Sequence, residues 1–511
     1  MSPAAPPRRA TNAFGPLLLF ILTHCMKVFR FLLLLALTAA PLARAQATAP
    51  DYLRACWQQQ VKPLKSSPVS FRYQETLAQL EHSFQPWQAT NYLGAGRVWS
   101  SSDGFAKSDT LRRGSSTYFS QTQYSPATLL FQDYGDKQLM PVTEAAFAEF
   151  PVQAARYSPA LLIEYLMSRP HAPAPESTPQ TAVYEARLGG TVVHLYIDTR
   201  AGRLGKVTTL SPDDLFGDVL TTYTYQDYAT LGRLAYARRV VVDKINGKLT
   251  DTVTLLAAAP AAVPPLLSAP AGYRLAPAAP AAPPPVTVEH YSPHLHLLGL
   301  AHTDDKVLVV EFDTFLLVAE APLTSANGEL IIREAHKIAP GKPIRYFVAG
   351  HYHPHYLGGV RPFVRRGATV LTTAGTRPYL QYLAAAPRTL RPDSLHRQPQ
   401  PLKTEEITTS KTIAEGGFEM QIHLIGSKSQ HTNDYLIYYF PTEKVLFEDD
   451  LAWVPRQGEI KKASARQAGL YQAVRELGLD VTTVLQSWPV KDYGVKTVIP
   501  FSDLEQAMRA Q

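Results

Sequence analysis

Three histidines occupy five positions in His351-Tyr352-His353-Pro354-His355, and the chain continues Tyr356-Leu357-Gly358-Gly359. An imidazole nitrogen is a good ligand for a borderline cation such as zinc, at about 2.0–2.1 Å. On an extended segment alternate residues face the same side, so His351 and His353 can converge on one ion. The same spacing also fits exposed histidines that hold nothing, and a His-x-His pair alone does not separate the two. The diglycine reads as the means of a tight turn into a helix. A second group, His290, His294, His296 and His302, precedes an apolar strand, and exposed or locally hydrogen-bonded imidazoles account for it better than a metal does.

The elements around the first cluster alternate between strand and helix. Lys306 to Phe312 and Phe315 to Ala321 read as buried strands, with Glu320 in the second as a partner for backbone or metal-loop groups. Gly328 to Ala339 reads as a helix, and Ile344 to Gly350 as a strand that ends where the histidines begin. Leu357 to Gly367 reads as helix, Ala368 to Ala374 as strand and Thr376 to Ala385 as helix. Phe418 to Ile425, Tyr435 to Phe440 and Lys444 to Glu448 read as strands. Ser464 to Leu479 reads as an amphipathic helix with Leu470, Val474 and Leu477 turned inward. This order predicts a layered αββα architecture.

The first half follows a different rhythm. From Asp51 to about Thr254 short β-branched and aromatic runs dominate, among them the aromatic stretch Tyr223 to Tyr228. Asn246-Gly247 between two such runs signals a hairpin, because both central positions of that turn need positive φ. Helices are predicted over Tyr73 to Phe84, on the spacing of Leu77, Leu80 and Phe84, and over Pro159 to Met167. The result is a strand-rich α+β domain that loosely resembles the half-barrel carriers of lipids and lipoproteins in bacterial envelopes. Between Ala257 and Val286 alanine and proline take over, too poor in large side chains to build a core. The expected division is therefore a leader at 1–45, the strand-rich domain at 46–256, a linker at 257–286 and a third part at 287–511, with the two halves moving relative to each other.

The histidine segment resembles the His-x-His-x-Asp-His-x-Gly-Gly signature of the metallo-β-lactamase superfamily. Three further stretches match in order: Val307 to Pro322, Lys342 to Tyr346, and His431-Thr432-Asn433-Asp434 with the hairpin Tyr439 to Asp450. The resemblance covers roughly Leu297 to Ala510. It implies an αββα sandwich, a first metal site of His351, His353 and His431, and Asp450 as the carboxylate between two metals. The second site departs from the family at all three of its positions: His355 replaces the aspartate, Tyr356 the adjacent histidine, and Tyr493-Gly494 the late His-Gly. Loss or redesign of that site follows, and with it one ion per chain, zinc first, another divalent or a ferric ion being compatible. Phenolate ligation is costly for a group whose ordinary pKa is near 10, so the tyrosines read better as hydrogen-bond donors. Glu448 and Asp449 add negative charge beside Asp450, with one of them expected to face solvent.

Composition sets the outer limits. The 511 residues carry a formal charge of +7, but removing Arg8, Arg9, Lys27, Arg30 and Arg44 leaves +2, and no basic face for nucleic acid remains. Met26, Lys27 and Arg30 precede the apolar run Phe31 to Ala40 and the site Ala43-Arg44-Ala45, which reads as a secretory signal with translation starting at Met26. Export to the periplasm or the medium is expected, with no stable membrane span after signal removal. Cys56 is the one cysteine left after Met26, so no intramolecular disulfide forms.

These readings point to an exported metal-dependent hydrolase of an unidentified small molecule: an ester, thioester, lactone, lactam or phosphoester. Asp450 would orient water, His355 exchange protons, and Tyr356 or Tyr493 donate to an oxyanion. The rival is a non-catalytic envelope protein that holds a metal or ligand, its first domain contacting an envelope partner.

Overall fold

The computed structural model describes residues 51–510, apart from 81–82, 127, 133–136, 141–142, 263–270, 277–284 and 491–492. The leader and much of the alanine-proline segment lie outside the described residues. Among those described, no helix is long and apolar enough to cross a membrane.

The first half is one sheet of thirteen strands. At its centre Val69–Gln79 pairs antiparallel with Thr90–Ser100 on one side and Leu249–Pro260 on the other. Helices Tyr52–Gln60 and Ala160–Met167 lie against it, burying Leu53, Cys56, Leu162 and Ile163 with Phe71, Tyr73, Val193 and Val253. The helix expected over Tyr73 to Phe84 is therefore a strand as far as Gln79. The buried residues run Phe71, Tyr73, Glu75 and Leu77, a period of two whose apolar rhythm is broken by a buried glutamate that accepts a hydrogen bond from the Tyr157 hydroxyl at 2.8 Å. The hairpin at Asn246-Gly247 is present, with φ of 57° and 81° at its central residues. Pairing continues through Ala257 to Pro260, and Arg274–Leu275 pairs with Gln138–Met140, so parts of the alanine-proline segment belong to the sheet.

The second half is two facing sheets with helices outside both. One has seven strands, from Thr287–His290 to Lys403–Glu406, and the other has six, from Ser410–Glu415 to Val498–Pro500. Strand residues divide by parity. Leu308, Val310, Leu317 and Ala319 meet Met420, Ile422, Tyr438 and Phe447 between the sheets. Val307, Val309 and Val318 pack outward beneath helix Ser325–Ile338 through Ile331 and Ile332. On the far side Ile437 and Val484 pack beneath helix Ala465–Glu476 through Leu470 and Val474. Leu477, expected inward, is 43% exposed because that helix ends at Glu476.

The halves do not behave as beads on a linker. Phe216 and Val219 of the first half join the core beneath the helices of the second. Trp87 lies against Phe216, Tyr379 and Tyr382, with ring centres 5.6, 5.0 and 4.9 Å away. The buried Asp218 carboxylate accepts from the Thr389 amide at 2.7 Å and hydroxyl at 2.6 Å. Arg388 donates to the backbone carbonyls of Asp213 and Asp214. These contacts are what the reading of two independently moving halves lacked, since polar partners so far apart in the chain leave no sequence pattern.

One ion pair anchors the turn after the histidine segment. Arg361, 3% exposed, donates to the two Asp393 oxygens at 2.6 and 3.1 Å and to the Leu383 carbonyl at 2.8 Å. Burial would raise the Asp393 carboxyl, but Arg361, the His396 amide and Ser325 outweigh it and hold it at about 2, below its ordinary 3.8. A depressed folded pKa stabilises above the ordinary value, and that contribution is lost as pH falls from 3.8 towards 2. Asp393→Asn leaves a buried guanidinium without its charge partner, an expected cost of about 3–5 kcal/mol at neutral pH. Chemical denaturation across pH checks it: the loss should shrink as the solution is acidified, and a variant with wild-type stability at pH 7 would exclude the anchoring role.

Candidate metal centre

The histidine segment begins three residues after strand Ile344–Val348, and Asp450 lies two residues after strand Val445–Glu448. His431 follows a short 3-10 turn and precedes strand Leu436–Phe440. The sheets are stitched together beside them, where the Leu436 amide donates to the Gly350 carbonyl at 2.7 Å. In this way residues eighty positions apart arrive at one end of the sandwich.

His351, His353 and His431 come together. Their ring centres are 4.5 Å apart for His351 and His353, and 4.8 Å for each of these with His431. One nitrogen from each lies within 4.8 Å of the others, a grouping able to hold a metal ion. The tautomers follow from the partners. His351 Nδ1 is 2.7 Å from a carboxyl oxygen of Asp449, which burial and the neighbouring Glu320 raise well above its ordinary range; with Asp449 ionised, Nδ1 carries the proton and Nε2 the lone pair. His353 Nε2 is 3.3 Å from the Ser83 carbonyl, also an acceptor, which leaves the lone pair on Nδ1. These two acceptor nitrogens, His351 Nε2 and His353 Nδ1, face each other at 2.9 Å. Two lone pairs at that distance repel unless a proton or a cation lies between them. His431 Nε2 is buried and makes no hydrogen bond: Asp450 Oδ2, 3.1 Å away, is close enough for charge attraction but not aligned for a bond. The donor set therefore fits a divalent cation. Burial, with His353, His431 and Arg466 nearby, holds the His351 pKa well below its usual range, so the ring is neutral and available.

Supporting groups surround the three rings. The Tyr435 ring stacks on His351 at 4.9 Å, and its hydroxyl accepts from the Asp449 and Asp450 amides, each at 3.1 Å. Glu448 and Asp449 are both fully buried, contrary to the expectation that one faces solvent, because Glu448 accepts the Leu451 amide at 2.7 Å and Asp449 reaches His351. Burial pushes the Glu448 carboxyl up to about 8. Glu320 is pushed up to about 8 by the same cause, and it takes the expected role by accepting from the Gly350 amide at 3.1 Å and the Tyr438 hydroxyl at 2.9 Å. Asp450 is paired with Arg466 at 3.2 Å. Burial alone would raise its carboxyl, but His431, Arg466 and His353 keep it low and charged.

The three positions that depart from the second site stay near one another: the His355 and Tyr356 rings are 6.3 Å apart, and Trp488 packs against both His355 and Tyr493 at 5.2 and 5.3 Å. His355 sits 3.0 Å from Asp305, which is 1% exposed; burial would lower the imidazole, yet Asp305 outweighs it and holds the pKa above the usual value. Tyr356 is buried with its ring 4.4 Å from His351, and burial raises its phenol well above the ordinary range, which favours a neutral hydroxyl. Tyr493 is 56% exposed and packs on Trp453 and Trp488 at 5.2 and 5.3 Å. All three line one cavity with His353, His431, Asp450 and Arg466.

The diglycine has a different reason from the one expected. Gly358 has an ordinary helical φ of −60°, but a Cβ there would lie 2.6 Å from the Leu323 backbone, so close packing rather than a left-handed turn requires it. Gly350 is needed for a related cause, since a Cβ would meet the Asp449 carboxylate at 2.2 Å.

Sequence reasoning missed Ser83, Asp305, Tyr435, Arg466 and the role of Asp449. Only Asp449 carried a signal, its adjacency to Asp450. The other histidines are hydrogen-bonded locally: His290 to His296 at 2.9 Å, His296 to Glu311 at 3.1 Å, His294 to the Glu311 carbonyl at 2.9 Å and His302 to Asn327 at 2.9 Å.

No family model matches the chain, and no curated protein matches it. Solved structures similar to it are metallo-β-lactamase-fold proteins, and the similarity falls on the carboxy-terminal part. The DIM-1 metallo-β-lactamase is 14% identical over 45% of this chain and 97% of its own, with a TM-score of 0.32. A metallo-β-lactamase from Pontibacter korlensis is 17% identical over 44% and 100%, also at 0.32. FIM-1 from Pseudomonas aeruginosa, in its mono-zinc form, is 16% identical over 44% and 95%, at 0.32.

Two substitutions probe the cluster. His431→Ala is expected to abolish retention of a metal ion while circular dichroism stays that of the native fold. Asp449→Asn, which removes the acceptor fixing the His351 tautomer, is expected to weaken metal affinity by about 10–100-fold. Competition against a chromogenic chelator measures both, and undiminished metal content in His431→Ala would refute the assignment.

Proposed function

We propose that the chain is an exported metal-dependent hydrolase with a metallo-β-lactamase-like domain at 287–511 that holds one zinc ion on His351, His353 and His431. The observation that carries this reading is the pair of facing nitrogens, His351 Nε2 and His353 Nδ1, 2.9 Å apart in one cluster with His431, whose Nε2 lies 3.1 Å from Asp450. A zinc ion held on three imidazoles with an open position supplies Lewis acidity that makes water acidic near neutral pH.

The surrounding residues supply the remaining functions. Asp450, kept anionic by Arg466 and His431, orients the attacking water. His355, held by Asp305, takes and returns protons at its ring. Tyr356 and Tyr493 border the same cavity with hydroxyls able to donate to the oxyanion that forms on attack at a carbonyl or phosphoryl centre. Water adds across the scissile bond: an open-chain substrate leaves as an acid and an alcohol, thiol or amine, and a lactone or lactam as one ring-opened hydroxy or amino acid. Export rests on the apolar run Phe31 to Ala40 and the site at Ala45.

The alternative is a non-catalytic envelope protein that holds a metal or ligand, with an envelope partner for the first half. It is favoured by the changed trio His355, Tyr356 and Tyr493. Metal analysis followed by hydrolysis screens with and without chelator separates the two. One ion per chain and turnover that chelator removes and zinc restores are the expected results. Bound metal with no turnover on ester, thioester, lactone, lactam and phosphoester panels would transfer support to the binder.

A further inference from the structure

The cavity over the histidines has walls from both halves of the chain. It measures about 890 Å³, the size that encloses a drug-sized ligand. One wall is supplied by the first half, through Leu80, Phe216 and Leu249 and through Ile245 at the tip of a hairpin. A second part of the lining is Trp453, Trp488 and Tyr493, whose rings pack on one another at 5.2–5.4 Å. The two cations that border the space are committed elsewhere: Lys244 to Asp251 and the Ala78 carbonyl, each at 2.8 Å, and Arg466 to Asp450. What remains facing the cavity away from the histidines is mostly hydrocarbon and aromatic surface.

A second observation marks the same walls. Ile245 and Trp453 both have left-handed backbone, with φ of 49° and 40°. Side chains that are branched at Cβ or bulky are strongly disfavoured there, and such strain persists where the surroundings enforce it, often at sites of function. Glycine or asparagine at either position would relieve the backbone. One residue comes from each half, and their side chains border the same space.

We propose that the first half is the substrate-binding wall of this centre, and that the substrate carries an extended, uncharged apolar group, an acyl or aryl chain, clamped between Leu80, Phe216 and Ile245 on one side and Trp453 and Trp488 on the other. The identity of the reacting end rests on the hydrolase reading; the apolar clamp does not. A chain so placed leaves water through contact with both walls, so affinity grows with its length. A substrate without that chain meets only the histidine end of the cavity.

The test is a calorimetric titration of the full mature chain, stripped of metal by chelator, with a homologous series from N-propyl- to N-octylacetamide. Affinity is expected to rise about three- to fourfold per added methylene until the cavity is filled. Ile245→Asn, which relieves the backbone, is expected to melt no lower than wild type and yet to weaken octyl binding about tenfold. Leu80→Ala serves as a second variant with the same expected flattening of the series. Equal affinity along the series overturns the proposal, as does a steep series that neither variant alters. Because the titration needs neither metal nor turnover, His431→Ala should keep the chain-length dependence even where the hydrolase reading fails. A steep series in a wild-type protein that, loaded with zinc, turns over none of the substrate panels would count against that reading alone.

Discussion

Two imidazole nitrogens, each with its proton drawn off to the far side of its ring, point at each other at 2.9 Å in a buried site. With both outer nitrogens protonated, this contact requires a proton or a cation between the rings, and that requirement is the constraint on the site. It exists because Asp449 claims the proton of His351 and the Ser83 carbonyl claims that of His353. Remove either acceptor and the rings can satisfy each other with one shared proton, and the case for a cation weakens. Around the site lie three buried acids: backbone amides and tyrosine hydroxyls donate to Glu320 and Glu448, while Asp449 meets His351.

The same constraint explains why the two halves are not independent. Ser83 belongs to the strand-rich half, and Tyr352, between the two histidines, donates its hydroxyl to the Ser83 carbonyl at 2.6 Å. The Asn433 amide, two residues after His431, donates to the Phe84 carbonyl at 2.7 Å. A segment of the first half therefore touches both stretches that carry the histidines. Trp87, a few residues later, packs into the aromatic group that fastens the halves together. A histidine cluster whose ring orientation depends on Ser83, just beyond the strand Val69–Gln79, is coupled to the stability of the first half.

The departures at His355, Tyr356 and Tyr493 also gain a physical meaning from their surroundings. They do not form a rearranged ligand set: His355 turns to Asp305, Tyr356 is buried against His351, and Tyr493 stands exposed among tryptophans. Among the described residues one cluster, His351, His353 and His431, is able to hold an ion, and the space beside it is lined mostly by aromatic and aliphatic side chains.

The sequence by itself determined the elements whose periodicity is clean and the two histidines that are neighbours in the chain. Strands buried on both faces, such as Asp305–Glu311 and Leu436–Phe440, and capped helices such as Ala465–Glu476 carry their patterns locally. His431 and Asp450 were legible only through a resemblance, since nothing in spacing ties them to His351. The strand Val69–Gln79 was misread because a buried, hydrogen-bonded glutamate interrupts its inward face. Tertiary structure alone decided the tautomers, the burial of Glu448 and Asp449, the partners Ser83, Asp305 and Arg466, and the cavity shared between the halves. The physical reason is common to all of these. Hydrophobic periodicity is a property of neighbours along the chain, whereas the direction of a hydrogen bond or the wall of a cavity depends on which distant groups the folded chain brings within about 3 Å.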